Sequence, residues 1–407
     1  SIYKKRLPAM RGMIYDRNGE ALAVSTPVFA VAVNPLQFDA NNVALQKLGK
    51  ILDLEAESLR TLLGNNAHRG YLYLKRHVSW EHMDAIRQLR LAHLTLEPEY
   101  RRYYPAGEVT AQLLGLTNVD GDGIAGVELA FEDWLQGVSG KKRFIKDLHG
   151  DAVRDVGVIE EPRPGKALAL SLDLRLQYVQ HRELQRAMKE TGATAGSAIT
   201  LDAWTGEVLA VSNYPVFNPN SRDALDFSGA RNRALTDAYE PGSTIKTLTL
   251  VAALESGQFH IDSIIDTAPG RIRVGAKMLH DPRDYGEISV SKVIEKSSQV
   301  GVTKIAQAVG HEAILDVLYR FGLGETTGTG FPGERAGQLP DLAHWSDIEK
   351  VTLAFGYGLT ATPIQLARAY AILANGGIRR PLTLLRQDLD SLPAGEPVSY
   401  THLRAHE

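Results

Sequence analysis

The chain has 407 residues and a formal net charge of -3, so no overall field favours nucleic acid as a partner. Hydrophobic residues make up 44% and charged residues 23%, ordinary proportions for a globular protein with buried cores. Cysteine is absent, which excludes thiol catalysis, cysteine zinc sites and disulfides. The length predicts two or three domains.

The two ends of the chain set the first expectations. The sequence begins at Ser1 rather than at an initiator methionine. Its most apolar stretch, Ala21–Val33, is broken at Pro27 and is far shorter than the roughly 20 residues of a membrane-spanning helix, so it predicts two short strands. Residues 398–407 match no pattern in the rest of the sequence, and we interpret them as a non-native tail. We therefore expect a piece of a longer protein.

Residues 1–165 predict a first domain of mixed strands and short helices. The segment 11–20 predicts strand, turn and strand, because Asn-Gly at 18–19 is a strong hairpin signal. A charged, proline-rich connector at 160–165 marks a domain boundary. Four tyrosines are predicted to lie in the core of this domain, with a glycan or protein contact surface as the alternative: Tyr71, Tyr73, Tyr103 and Tyr104.

Residues 166–397 predict a second domain in which a few strands are followed by many helices. The predicted strands are 167–172, 196–202 and 206–213. The predicted helices are a segment capped by Asp173 and ending near 190, then 243–255, the region 290–309, 312–321 and 363–374. This order predicts an α+β fold with helices packed on an antiparallel sheet.

The segment from Glu240 to Lys246 carries the candidate catalytic residues. Pro241 and Gly242 predict a sharp turn into an apolar helix, so free backbone N–H groups and the positive end of the helix dipole face Ser243. Lys246 follows three residues later on the same helical face. A serine hydroxyl needs a base to become a nucleophile, and a lysine can be that base when burial lowers its pKa. The Ser243 N–H would form half of an oxyanion hole.

Other local matches are interpreted as surface features or turns. Serine and lysine stand three residues apart at three further places, so the bare pattern is not specific. Two G-x-G-x-x-G matches begin at Gly121 and Gly328, but neither has the strand-to-helix context of a dinucleotide site. Residues 118–123 resemble the start of a calcium loop, yet Leu129 stands where such a loop needs glutamate. No metal or cofactor is predicted.

Longer stretches of the sequence resemble the class B penicillin-binding proteins. The matching segments are residues 11–20, 101–107, 123–128, 202–210, 231–246 and 355–363. The resemblance extends to about Pro397, and residues 355–363 resemble the cell-division branch more than the elongation branch. It implies an elongated α+β pedestal at 1–165, of the dimerisation type. A β-lactamase-like transpeptidase domain would follow at 166–397.

The same resemblance implies roles for four residues. Ser243 would be the nucleophile and Lys246 its base. Ser297 stands where the family has the serine of its S-x-N element, and it would relay a proton between Lys246 and the leaving amine. Gln299 replaces the usual asparagine, so its amide reaches about 1.5 Å further, by one carbon–carbon bond. It would hold Lys246 and the substrate backbone.

The third element of the family, Lys-Thr-Gly or Lys-Ser-Gly, does not occur in the sequence. In the family it supplies a lysine for the substrate carboxylate and a second N–H for the oxyanion hole. We expect it to follow residue 397 in the natural protein. The present polypeptide should then lack one or more strands of the catalytic sheet and have little or no activity.

The function implied by the resemblance is peptidoglycan cross-linking at the septum. Ser243 would attack the D-Ala-D-Ala bond of a stem peptide, and penicillins would acylate the same serine. The implied partners are stem peptides and glycan strands, β-lactam antibiotics, a SEDS-type glycan polymerase and other divisome proteins. The implied location is the periplasm, with a single-pass anchor in the inner membrane. Two alternatives stay open: a D,D-carboxypeptidase or β-lactamase-like hydrolase, and a catalytically weak divisome scaffold.

Overall fold

The computed structural model of the chain describes residues 2–146, 152–221 and 229–398. The chain divides into two compact units, one of residues 1–169 and 218–225 and the other of residues 170–217 and 226–407. Of the predicted tail, only Val398 lies within the described residues, where its N–H donates to Gly377 O at 2.8 Å. The rest of the tail lies outside the described residues.

The described part of the first unit contains two sheets. One is antiparallel with strand order β1-β6-β7. The other has the order β4-β3-β2-β8, with β5 also paired to β3. The strands are β1 (Ile2–Leu7), β2 (Ile14–Tyr15), β3 (Ala21–Val33), β4 (Leu72–Val78), β5 (Leu94–Tyr103), β6 (Gly140–Lys146), β7 (Ala152–Glu160) and β8 (Leu168–Ala169). The predicted hairpin at 11–20 is confirmed, because β2 pairs antiparallel with β3 across the turn.

Strand β3 organises the first unit, and it shows that the prediction of two short strands was wrong. It runs without a break and pairs with the whole of the ten-residue β5. The polar interruption is accommodated because buried Ser25 accepts a hydrogen bond from Arg102. Pro27 is tolerated because pairing with β4 starts only at Phe29, so no ladder bond is needed on that side.

The described part of the first unit also contains short helices, of which the first three form a core with this sheet. The helices are α1 (Ala44–Leu52), α2 (Ala56–Asn65), α3 (Met83–Gln88), α4 (Ala111–Leu114), α5 (Gly126–Ala130) and α6 (Glu132–Leu135). The apolar faces of α1 and α2 pack against Phe29 and Val31 of β3. The predicted core position holds for Tyr104, which is buried, and is wrong for Tyr71, Tyr73 and Tyr103, which are partly exposed.

A buried ionic cluster lies on the other side of the first unit. The carboxylate of Glu128, in α5, is fully buried and accepts hydrogen bonds from Arg11 Nε at 2.5 Å and from Arg102 Nε at 2.7 Å. Glu132 is a second partner of Arg11, at 2.7 Å. Because each buried cation meets a carboxylate, the cost of removing these charges from water is offset locally.

The second unit combines short antiparallel strand pairs with a large helical core. The strands are β9 (Gly196–Leu201), β10 (Val208–Tyr214), β11 (Ile264–Asp266), β12 (Arg271–Val274), β13 (Lys277–His280), β14 (Glu287–Ser289), β15 (Ile378–Arg379) and β16 (Glu396–Pro397). They pair as β9 with β10, β11 with β14, β12 with β13, and β15 with β16. The α+β fold class is confirmed.

The helices of the second unit follow the predicted order. They are α7 (Leu174–Thr191), α8 (Arg233–Thr236), α9 (Lys246–Glu255), α10 (Val290–Glu295), α11 (Gln299–Val309), α12 (His311–Arg320), α13 (Asp347–Leu353) and α14 (Pro363–Ala374). Asp173 caps α7 as predicted, since its carboxylate accepts from the N–H groups of Arg175 and Leu176. Helix α7 packs on β10, where Gln177 exchanges hydrogen bonds with the backbone of Val211.

Helix α9 passes through the apolar core of the second unit. Leu248, Val251 and Ala253 are buried among side chains from α11, α12 and α13. The predicted helical region 290–309 is divided into α10 and α11 by a short junction, residues 296–298. None of the helices in the described ranges has the length and hydropathy needed to cross a membrane.

Candidate active site

The candidate nucleophile lies on a tight turn at the start of α9. Residues Gly242–Ile245 form one 3₁₀ turn, which continues into α9 at Lys246. Gly242 has a φ of 64°, a conformation that glycine adopts without strain, and its N–H donates to Gly356 O at 3.0 Å. A Cβ on Gly356 would lie 1.9 Å from Gly242 O, so the two backbones can approach only because residue 356 is a glycine.

The turn is also held from three neighbouring positions. Tyr239 and Ala361 exchange two backbone hydrogen bonds, at 3.0 and 3.1 Å. The Glu240 carboxylate accepts from the N–H of Gly358 at 2.9 Å. The Tyr370 hydroxyl, from α14, donates to the carbonyl oxygen of Thr244 at 2.8 Å. These contacts fix the backbone on both sides of Ser243.

Ser243 itself is exposed to solvent. Within the described part of the chain, neither its hydroxyl nor its backbone N–H makes a hydrogen bond. Lys246 is three residues further along, and in a 3₁₀ turn residues i and i+3 lie on the same side. The predicted shared face is therefore present, with a free N–H at the helix start.

Lys246 is buried, with 3% of its surface exposed. Its Nζ donates to Ser297 O at 2.7 Å and to Ser297 Oγ at 2.8 Å. Burial lowers the pKa of Lys246 below its ordinary value, and the negative charge of Asp281 partly opposes this shift. A lysine in this environment gives up its proton more readily than a lysine on the surface.

Ser297 reaches Lys246 because its backbone is left-handed, with a φ of 53°. It follows α10 in the position that usually belongs to glycine: Ser297 N–H donates to Ile294 O at 3.0 Å and Ser298 N–H to Val293 O at 2.9 Å. A side chain in this conformation costs roughly 1 kcal/mol or more. The junction therefore places Ser297 toward Lys246 at the expense of some local stability.

Gln299 is the first residue of α11 and is partly buried. Its backbone N–H donates to Asp281 Oδ1 at 2.7 Å. Its side-chain amide forms no hydrogen bond in the described ranges, neither with Lys246 nor with Ser297. Of the four predicted residues, the structure brings Lys246 and Ser297 into contact, keeps Ser243 on the adjoining turn, and leaves the Gln299 amide unconnected.

One acidic residue beside this site was missed by the sequence analysis. Asp281 follows β13 and accepts a hydrogen bond from Ser298 Oγ at 2.6 Å. It lies 17 residues before Ser298 in the sequence, on another element, and no spacing rule links the two. Tyr370 was missed for the same reason, since 126 residues separate it from Thr244.

A serine on a helix-start turn, a buried lysine and a second serine are the groups that acyl transfer through a serine ester requires. The penicillin-binding protein transpeptidase domain model matches residues 196–404, and the penicillin-binding protein dimerisation domain model matches residues 6–170. The chain belongs to the penicillin-binding protein transpeptidase family, as the resemblance predicted.

Two curated relatives are similar over nearly the whole chain. The peptidoglycan D,D-transpeptidase FtsI of Escherichia coli strain K12 is 41% identical over 393 residues, covering 95% of this chain and 66% of the relative. The probable peptidoglycan D,D-transpeptidase PbpC of Pseudomonas aeruginosa is 39% identical over 388 residues, covering 95% of this chain and 69% of the relative. The chain thus spans about two thirds of the length of these relatives.

Two solved structures share the fold. Penicillin binding protein 3 of Mycobacterium tuberculosis, complexed with aztreonam, matches with a TM-score of 0.72 and 27% identity, over 98% of this chain and 73% of that one. Penicillin-binding protein PBP2 of Helicobacter pylori, solved in complex with MreC, has a TM-score of 0.80 and 22% identity, over 100% of this chain and 82% of that one. The second likeness supports the fold alone.

Proposed function

We propose that the chain carries the acyl-transfer site of a division-type peptidoglycan D,D-transpeptidase, with Ser243 as nucleophile and Lys246 as its base. The observation that carries this proposal is the buried Lys246 amine, whose pKa is lowered by burial and whose hydrogen bonds both go to Ser297. The likeness to relatives named peptidoglycan D,D-transpeptidase supports the same reaction.

The two bonds to Ser297 leave Lys246 prepared to accept a proton. A neutral lysine amine has two N–H donors and one lone pair. The donors bond to the carbonyl and hydroxyl oxygens of Ser297, and the lone pair would then be left to take the proton of the Ser243 hydroxyl. Proton transfer to this lone pair makes the serine oxygen a nucleophile at a pH where a surface lysine is still charged.

The reaction then proceeds in two halves. Ser243 Oγ attacks the carbonyl carbon of the penultimate D-Ala while its proton passes to Lys246. The negative charge that forms on the carbonyl oxygen is stabilised by the Ser243 N–H. The C–N bond breaks, and the proton moves from Lys246 through the Ser297 hydroxyl to the leaving D-Ala amine. The amine of a second stem peptide then attacks the ester carbon and loses a proton to Lys246. As the ester C–O bond breaks, Lys246 returns this proton to Ser243 Oγ and the free serine is restored.

Two features lower the rate that we expect from this polypeptide. The sequence contains no Lys-Thr-Gly or Lys-Ser-Gly, the element that supplies the second oxyanion donor in the family. Loss of one such donor reduces catalysis by roughly 10²–10³-fold. The Gln299 amide is also not joined to Lys246. We therefore propose slow acylation by this 407-residue polypeptide rather than efficient turnover.

The remaining proposals follow the family likeness. The acyl donors would be stem peptides on glycan strands, and β-lactams would acylate the same serine. The protein partners would be a SEDS-type glycan polymerase and other divisome proteins. The location would be the periplasm, with attachment to the inner membrane. The first unit would serve as a non-catalytic pedestal, within the predicted limits 1–165, and the second as the transpeptidase domain within 166–397.

The nucleophile is tested with a fluorescent penicillin and peptide mapping by mass spectrometry. Over several hours we expect slow formation of one adduct, located on Ser243 and lost in Ser243→Ala. The matched control is Ser291→Ala, an exposed serine on α10 that should label like the wild type. An adduct on another serine would contradict the assignment of the nucleophile. Rapid stoichiometric labelling would contradict the proposal of slow acylation.

Transfer is separated from hydrolysis by the products. A small thioester donor that mimics the D-Ala terminus is supplied with and without a D-amino acid as acceptor. A transpeptidase yields the new amide in proportion to the acceptor concentration. A product that is only the free acid would favour the hydrolase alternative, and an acyl-enzyme that never resolves would favour the scaffold.

A further inference from the structure

The junction between α10 and α11, residues 296–298, determines where Ser297 points. On one side it is closed by the two backbone hydrogen bonds to Ile294 O and Val293 O that end α10. On the other side Ser298 caps α11, since its Oγ accepts from Gly301 N at 2.9 Å. Ser297 lies between these two closures, so its direction depends on both.

Asp281 completes the closure on the α11 side. Its Oδ2 accepts from Ser298 Oγ at 2.6 Å, and its Oδ1 accepts from Gln299 N at 2.7 Å and from Val300 N at 3.2 Å. The carboxylate is buried, with 8% of the residue exposed, and Ser298 is fully buried. A negative group at this place also complements the positive end of the α11 dipole.

We propose that Asp281 is a positioning residue of the acyl-transfer site: it locks the junction so that Ser297 presents its carbonyl and hydroxyl oxygens to Lys246. This inference rests on the function proposed above for Lys246 and Ser297. Asp281 belongs to the segment after β13, not to either helix of the junction. It therefore ties the junction to a third element.

The contacts of Asp281 explain why it acts through the junction rather than directly on Lys246. Its two oxygens are occupied by one hydroxyl and two backbone N–H donors, and these donors spread its negative charge. No ion pair joins Asp281 to Lys246 in the described ranges. Asp281 is the charged group that acts on the pKa of Lys246, which it raises against the lowering by burial.

The test reads the environment of Lys246 without requiring turnover. Isotope labelling of the lysine side-chain carbons gives a set of NMR signals. The Lys246 signal is the one that is missing from Lys246→Arg. We expect Ser297→Ala to move this signal, because it removes one of the two Nζ contacts. Asp281→Ala should move it as well. In a Ser297→Ala background, adding Asp281→Ala should move it less, because only the carbonyl oxygen of residue 297 is then left for Asp281 to position.

Two further variants separate positioning from charge and from simple stability. Asp281→Asn keeps an acceptor for the N–H groups of α11 but loses the charge, and we expect it to restore most of the wild-type signal. Ser289→Ala removes the cap of α10, where Ser289 Oγ accepts from Lys292 N at 3.1 Å. It should lower Tm as Asp281→Ala does and leave the Lys246 signal unchanged.

The rate of Ser243 acylation, measured well below Tm, gives the second readout. Asp281→Ala should slow labelling of Ser243 by about 10-fold or more, because the rate falls steeply when a catalytic group is displaced from its productive position. A lowered Tm with an unmoved Lys246 signal would reduce Asp281 to a helix cap and overturn the inference. Equal signal shifts in Asp281→Asn and Asp281→Ala that persist in the Ser297→Ala background would also overturn the inference, because loss of the charge alone would explain them. Failure of the proposed function has a different signature, labelling that survives Ser243→Ala.

Discussion

Each unit of the molecule holds a buried cationic site, Arg11 with Arg102 in the first and Lys246 in the second, and these two sites are paired differently. In the first unit Arg11 and Arg102 share the fully buried carboxylate of Glu128, at 2.5 and 2.7 Å. In the second unit the hydrogen bonds of the buried Lys246 amine to described residues go to the carbonyl and hydroxyl oxygens of Ser297. The first arrangement pairs opposite charges, and the second pairs a cation with neutral dipoles.

The pKa values of these groups go in opposite directions. Burial alone would lower the pKa of Arg11, but the charges of Glu128 and Glu132 outweigh it, and the pKa is raised. For Lys246 burial dominates over the opposing charge of Asp281, and the pKa is lowered. The paired Arg11 is held charged and serves the fold, whereas Lys246, buried without a contacting carboxylate in the described residues, loses its proton more readily.

The largest expected effect is on activity, from Lys246→Met. Removal of a general base lowers the rate by roughly 10²–10⁴-fold, so labelling of Ser243 by a fluorescent penicillin should nearly stop. Stability should stay the same or rise, because an amine without a carboxylate partner is replaced by an apolar side chain. Lys189→Met, at an exposed position in α7, is the control for both measurements. A large fall in Tm for Lys246→Met would contradict the distinction between the stabilising Arg11–Arg102 cluster and the Lys246 site.

Glu128→Gln is expected to lower stability and leave activity unchanged. It leaves Arg11 and Arg102 buried without their shared charge, which costs about 3–5 kcal/mol. Denaturant unfolding followed by fluorescence should show this loss, while the labelling rate of Ser243 in folded protein should be unchanged. Glu160→Gln removes an exposed ion pair with Lys141 and should cost less than about 1 kcal/mol. Equal losses for the two variants would contradict a structural role for the buried cluster.

Ser297→Gly should separate stability from activity at one residue. Glycine relieves the left-handed backbone at φ 53°, and after its greater unfolded-state entropy is counted the gain is at most about 1 kcal/mol. Acylation of Ser243 should fall about 10-fold or more, because the hydroxyl that contacts Lys246 is lost. Ser297→Ala loses the same hydroxyl but keeps the strain. It should therefore match the glycine variant in rate and unfold at a lower temperature.

The pH dependence of stability provides a test of the lowered pKa. In the folded state Lys246 releases its proton below the ordinary lysine value of about 10.4, at which it titrates in the unfolded chain. Between the two pKa values the unfolded chain binds more protons, so this residue adds stability as pH rises. The Tm of the wild type should rise relative to that of Lys246→Met as pH increases toward the unfolded-state pKa of about 10.4. Parallel curves over this range would contradict the pKa assignment.

The smallest effect is expected from Gln299→Asn. The shorter amide restores the residue type of the family at a position where the Gln299 side chain makes no described hydrogen bond. We expect labelling of Ser243 to increase by a few-fold, about the value of one added hydrogen bond, with Tm nearly unchanged. Glu295→Gln, an exposed substitution near the end of α10, is the control. A decrease in rate would show that glutamine is the better residue in this site.

Much of the fold was predictable because its signals are local. The cap at Asp173, the turn before Ser243 and the stop after α14 each depend on a few adjacent residues, and the structure has all three. The strand β3 was predicted wrongly for the opposite reason. Its polar interruption is accommodated by Arg102 of β5, and Pro27 is tolerated because β4 pairs only from Phe29 onward; both partners lie far away in the sequence.

The candidate site shows the same difference between features set by adjacent residues and features set by long-range packing. The sequence by itself determined that Ser243 and Lys246 share one face, since a turn of helix fixes residues three apart. Only the tertiary structure decided that Lys246 is buried against Ser297, 51 residues away, and that Asp281 holds the junction from a third element. Burial lowers the pKa of Lys246, and the contacts to Ser297 orient its amine. Both arise from packing between segments that no local pattern connects.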